Sequence, residues 1–136
     1  MAIKGTPNAG LDDIASLAYI GIVLTLVAYT NAANSLGAAS VAADLAQPAT
    51  ANGYTPISLT GTWASASGVL TYTHVAGPNN FNGDPGWQAS GAWSGTVNGI
   101  ALLHGAVLRH FSDLATPFVA ASLKKLVIDL ATVAGG

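Results

Sequence analysis

His104 and His110 lie six residues apart, and His110, Ser112 and Asp113 fall together in the run HFSD. These are the residues of the chain best suited to metal binding or acid–base chemistry, so their spacing is the first test. On one continuous strand an even separation puts both imidazoles on the same face, but about 20 Å apart at strand rise. A turn near Gly105 would bring them closer, yet no third ligand accompanies them, and zinc asks for three or four. HFSD by itself defines no geometry. No GxSxG elbow or paired-carboxylate motif appears, and neither GxGxxG nor GxxxxGK[ST] opens a predicted helix. Without cysteine, thiolate ligands and disulfides are excluded. The expectation is a protein that is not an enzyme, with no catalytic residues, cofactor or metal.

The aromatic residues are the other candidates. TGTW and SGAW place Trp63 and Trp93 beside glycine and small residues. One reading is a sugar platform, drawn from Trp63, Trp87, Trp93, Tyr54, Tyr72 and Phe81. Such sites need polar groups converging beside the rings, and none is evident. An indole flanked by small residues suits close packing of two sheets, so Trp63 and Trp93 are expected in the core or at a subunit interface. Trp87 lies beside the GDPG run, and with Phe81 it is the candidate for surface recognition. Lys124 and Lys125, in SLKKLVIDL, are expected to solvate a strand edge, or else to reach an aspartate of another subunit.

What must position these side chains is a set of short strands. Residues 22–30 are β-branched and aromatic, and apolar on both faces. Val23, Val27 and Tyr29 are therefore expected in the core or at a subunit interface, one covering layer coming from a neighbouring subunit. Residues 10–19 suggest a short helix, Asp12 and Asp13 suiting its positive end. A long small-residue loop with one helical turn over 41–45 follows. Residues 54–63 and 68–74 read as a hairpin about the small residues ASAS. The glycine, proline and asparagine of residues 76–86 read as an exposed loop. Further strands are expected over 87–93, 97–103, 105–111 and 123–133. This pattern predicts a mainly β fold, an antiparallel β-sandwich or jelly roll, over residues 11–136, preceded by an extended N-terminal arm over 1–10.

Composition narrows the partners. The chain has 136 residues, enough for one domain with a real core. Only four residues are basic and six acidic, for a net charge of −2. So little charge leaves apolar surface for a partner to cover, which predicts an oligomer or assembly subunit. No basic cluster exists to hold phosphates, so nucleic acid is not an expected partner. Residues 14–43 carry no charge, but the apolar run breaks after about fifteen residues, short of the roughly 20 a bilayer-crossing helix needs. The acidic residues before it do not suit a secretory signal. No membrane span is expected.

The succession LTLVAYTNAANSLGAASVAADLAQP, GYTPISLTGTW, GWQASGAWSGTVNGIALLHGAVLRHF and DLATPFVAASLKKLVIDLAT, with the opening PNAGLDDI, resembles small structural proteins of tailed bacteriophages, including those of cyanobacteria. The resemblance runs over residues 7–132. It implies a β-sandwich virion component with no catalytic residues to carry over. Absence of heptads or a fibrous repeat favours a capsid decoration, or cement, protein that bridges major capsid protein subunits. Analogy with other decoration proteins suggests a homotrimer. A tail or fibre component is the alternative, and a host-glycan binding module is a third.

Overall fold

A computed structural model describes Tyr19 and residues 21–133, of which 131–133 are described by their backbone alone. The arm over 1–10 and the helix over 10–19 therefore lie outside the described residues, Tyr19 excepted. The fold is mainly β with antiparallel pairing throughout, as the alternating runs predicted. Strands β1 (Leu24–Tyr29), β2 (Ile57–Leu59), β3 (Thr62–Ala66), β4 (Val69–Thr73) and β5 (Asn80–Phe81) come first. They are followed by β6 (Asp84–Gln88), β7 (Val97–His104), β8 (Val107–Phe118), β9 (Lys125–Val127) and β10 (Ala131–Val133). The sheets run β2-β1-β7-β8, β10-β4-β3 and β5-β6-β9. One apolar cluster draws on all three, through residues such as Leu26, Leu59, Leu70, Trp87, Leu102 and Leu126, as the core of a sandwich does. Among the described residues no helix is long and apolar enough to cross a membrane.

The central strand β1 is buried on both faces, as its composition predicted. Leu24, Leu26 and Ala28 enter the main core, while Val27 and Tyr29 form a second cluster with Ala101. The cover over this second face differs from expectation. Leu36 and Leu45, from the chain's own small-residue loop, pack there with Leu103 and Leu108, so no neighbouring subunit is needed to bury it. Asn31 holds the loop down. Its Nδ2 donates to Asp44 O at 2.7 Å and its Oδ1 accepts from Ala46 N at 2.8 Å. The expected helical turn is a 3-10 turn at Ala42–Asp44. Val23, expected in the core or an interface, is 55% exposed and contributes nothing to the core of this chain. It precedes the first paired residue of β1 and so escapes both layers.

Two expected strands are each divided between sheets. Within residues 54–63 the chain pairs first with β1 and then, after Gly61, with β4. A Cβ at Gly61 would stand 2.0 Å from Thr73 O, so only glycine fits this corner. The turn of the β3–β4 hairpin is Ser67–Gly68, at φ of 53° and 77°, the two-residue turn whose twist matches the strands. Ala64, Ser65 and Ala66, expected in the turn, are strand. Residues 123–133 likewise divide into β9 and β10, which belong to different sheets.

The region expected as an exposed loop is mostly a hairpin. Asn82–Gly83, at φ of 57° and 90°, joins β5 to β6. Pro85, Gly86 and Trp87 of β6 are buried. Gly86 is buried because Leu126 O passes where a Cβ would lie, at 2.4 Å. The expected strand over 87–93 ends early, at Gln88, so Trp93 stands on irregular chain.

Strand β8 runs on to Phe118, beyond the expected end at 111. It is an edge strand whose pairing with β7 slips twice. Leu102 pairs with His110 but Leu103 with Leu108, so Arg109 is an extra residue, and residues 114–117 bulge similarly between Asp113 and Phe118. Such bulges bend an edge and discourage unwanted pairing.

Candidate functional site

The bulge at Arg109 sets the surroundings of the histidine that the sequence singled out. His110 and Ser112 pair with Leu102 and Ile100 and share their face, whereas Asp113 pairs with Gly99 and faces the second cluster. HFSD is thus divided by the sheet. Asp113 accepts from the Tyr29 hydroxyl at 2.7 Å and from Asn34 N at 2.8 Å. These bonds hold its carboxyl below the usual carboxylate range. His110 hydrogen-bonds through Nε2 to the Tyr19 hydroxyl, and the two rings stack with centroids 5.8 Å apart. Burial, reinforced by the neighbouring Arg109 charge, pushes the His110 pKa down. His104 is exposed at the start of the β7–β8 turn. No group of three metal-ligating side chains occurs among the described residues.

The three tryptophans are all buried, but differently bonded. Trp87, the candidate for surface recognition, is 0% exposed. Its indole donates to Thr55 O at 2.7 Å and packs against Tyr54 and Trp93. That burial overturns its assignment to recognition, because composition could not reveal that the GDPG run folds inward. Phe81, its proposed companion, is half-buried, with Lys125 Nζ 5.4 Å above its ring. Trp93, 8% exposed, donates to Asn52 O at 2.9 Å. Trp63, 7% exposed, packs between Tyr19 and Tyr72 at centroid distances of 5.1 and 4.7 Å. Among the described residues, Trp63 Nε1 is buried without a hydrogen-bond partner, and so is Arg109 Nη1. Each such orphan donor costs about 1–3 kcal/mol.

Trp63 and His110 line a groove of about 490 Å³ between β8 and the chain crossing from β9 to β10. Its walls include Ile100, Leu102, Leu114, Ile128 and Leu130, and its aromatic end is made by Tyr19, Trp63 and His110. Ser112 and Asp129 stand exposed at the rim. The Arg109 guanidinium lies over the Tyr19 ring, 5.5 Å from its centroid. Tyr19 itself is fixed by a turn, in which Ile22 N donates to Tyr19 O at 3.1 Å and Gly21 takes φ of 81°. No motif or spacing in the sequence marks Tyr19, Arg109 or the aliphatic walls as site residues. They come together only through the β8 bulge and the sheet-to-sheet crossing.

A second feature is the turn before β9. Lys124 N donates to Ala121 O at 3.0 Å, and Leu123 N donates to Ala89 O at 2.8 Å. This places Leu123 at φ of 68° and 74% exposed. A leucine in the left-handed region costs about 1–2 kcal/mol, and here it gains no burial in return. Val119 is also exposed beside this turn, its carbonyl accepting from Lys124 Nζ at 3.3 Å. The lysine that was expected to solvate an edge thus lies along Phe118, 5.8 Å from the ring centroid.

No protein-family model, curated protein or solved structure matches the chain.

Proposed function

We propose that the protein is a non-enzymatic virion subunit, a capsid decoration protein that sits as a homotrimer on a tailed-phage head and bridges major capsid subunits. The observation that carries this reading is apolar exposure on a surface with little charge. Val23, Val107, Phe111, Val119 and Leu123 are exposed, on a chain with four basic and six acidic residues. Covering such side chains with neighbouring subunits removes apolar area from water, at about 25 cal/mol per Å². Binding that favours the folded state stabilises the decoration protein and the shell together. The resemblance of the GYTPISLTGTW and GWQASGAWSGTV segments to phage structural proteins supports the virion setting, and the antiparallel sandwich suits it.

Electron imaging of purified virions that carry the chain is the test. Density repeated across the capsid is expected. A few copies at one vertex or along the tail would replace this reading with a tail component, and absence from the particle would overturn both. Light scattering of the purified protein should give the mass of a trimer. A monomer at every concentration would overturn the trimeric state.

A further inference from the structure

The rings around the β3–β4 hairpin carry a second inference, independent of any place in a virion. His110, Tyr19, Trp63, Tyr72 and His74 form one row, with successive ring centroids 5.8, 5.1, 4.7 and 5.7 Å apart. These are the separations of aromatic rings in contact. A histidine stands at each end, hydrogen-bonded to the hydroxyl of the tyrosine beside it. At the Tyr72 end the bonds determine where the proton lies. Tyr72 Oη accepts from Gly61 N at 2.8 Å, which leaves its own proton to point at His74 Nδ1, 2.8 Å away. Nδ1 is then the bare nitrogen of a neutral imidazole, and burial, which pushes the His74 pKa down, keeps the ring neutral. A phenol that gives up an electron must also shed its proton, and a base within about 2.6–3.2 Å can take it directly. Trp63 is the point of entry, because it lines the groove beside β8, where a small oxidant meets it. Among the described residues its indole N–H has no acceptor. With no base to remove that proton, the oxidised indole stays a radical cation and keeps its power to oxidise a neighbour. Arg109 sets the direction, since its guanidinium lies 5.5 Å from the Tyr19 centroid and opposes further positive charge at that end.

We propose that Trp63, Tyr72 and His74 form a one-electron relay that accepts oxidising equivalents from small radical oxidants. The oxidant takes one electron from Trp63 and is itself reduced, leaving an indole radical cation. Tyr72 then gives an electron to Trp63 and its hydroxyl proton to His74 Nδ1. The products are a neutral indole, a neutral Tyr72 phenoxyl radical and a His74 imidazolium, so the single positive charge is conserved. The other two indoles provide the comparison. Trp87 and Trp93 both contact Tyr54, whose hydroxyl donates to Gln47 Oε1 at 2.8 Å. An amide oxygen is too weak a base to keep that proton, so oxidation there gains no such outlet.

The azide radical, generated by pulse radiolysis of the full chain at neutral pH, is the probe. Transient absorption should show a tryptophanyl radical decaying as a tyrosyl radical rises, at a rate independent of protein concentration and slower in deuterium oxide. Tyr72→Phe should lower the yield of this phase at least about tenfold, and His74→Leu should slow it at least about tenfold. Tyr54→Phe should leave it unchanged. Each variant is compared only where its circular dichroism matches the wild type. A tyrosyl yield unaffected by Tyr72→Phe would overturn the proposal, as would a rise with no isotope effect or one that depends on protein concentration. Should these variants fail to fold, 3-fluorotyrosine in place of Tyr72 keeps the hydroxyl and the packing. The paramagnetic resonance spectrum of the frozen radical should then acquire a fluorine splitting, and a tyrosyl spectrum without it would place the radical elsewhere and overturn the relay.

Discussion

The Tyr29 hydroxyl donates to Asp113 Oδ1 at 2.7 Å, joining the central strand β1 to the edge strand β8 across the intervening β7. Asn34 N donates to the other carboxylate oxygen at 2.8 Å, so the same aspartate also pins the covering loop. Both bonds favour the ionised carboxylate and hold its pKa below the usual carboxylate range. A depressed carboxylate pKa contributes stability that is present above the unfolded pKa and is lost as pH falls through the folded one. Melting temperature should therefore decline as pH drops below about 4, and Asp113→Asn should remove part of that decline. Identical pH profiles for the two proteins would refute the linkage.

Tyr29 also explains a glycine in β7. A Cβ at Gly99 would stand 2.0 Å from Tyr29 Cζ, within a fully buried ring. Gly99→Ala should cost about 1–3 kcal/mol through overpacking. Replacing Tyr29 by leucine in the same chain should make the two losses less than additive, as expected for residues in contact. Urea denaturation of the four proteins measures this, and strict additivity would contradict it.

The indoles offer a graded comparison. Trp87→Phe removes the bond to Thr55 O, so it should cost more than Trp63→Phe, whose indole N–H has no acceptor among the described residues. The difference should be about 1–2 kcal/mol in denaturant unfolding. Trp87→Ala, which empties a fully buried site, should cost about 3–5 kcal/mol.

Leu123 separates folding from assembly. Leu123→Gly relieves the cost of φ at 68°, offset by about 0.5–1 kcal/mol of unfolded-chain entropy. The isolated protein should thus keep its melting temperature or gain slightly. If the exposed leucine contacts another subunit, the same variant should lose affinity for that partner. Sedimentation and thermal melting of one sample decide it, and a large loss of stability in the monomer would show that the side chain serves the fold.

The sequence by itself determined the class of fold. β-branched and aromatic residues mark β1, and short apolar runs bounded by glycine and other turn residues mark the remaining strands. It also determined the double burial of β1, because a strand apolar on both faces must be covered twice. What covered it was decided in three dimensions. The Asn31 side chain replaces a missing backbone partner and folds the 31–47 loop over Val27 and Tyr29, a contact without local periodicity. The placement of Trp87 was equally invisible, since proline and glycine beside it serve an exposed turn or a close-packed hairpin alike. Gly86 under the passing Leu126 carbonyl chose the second. The groove depends on one extra residue, Arg109, in the pairing of β8. Register is a property of two strands together, so only the tertiary structure could place Trp63, Tyr19 and His110 around one space.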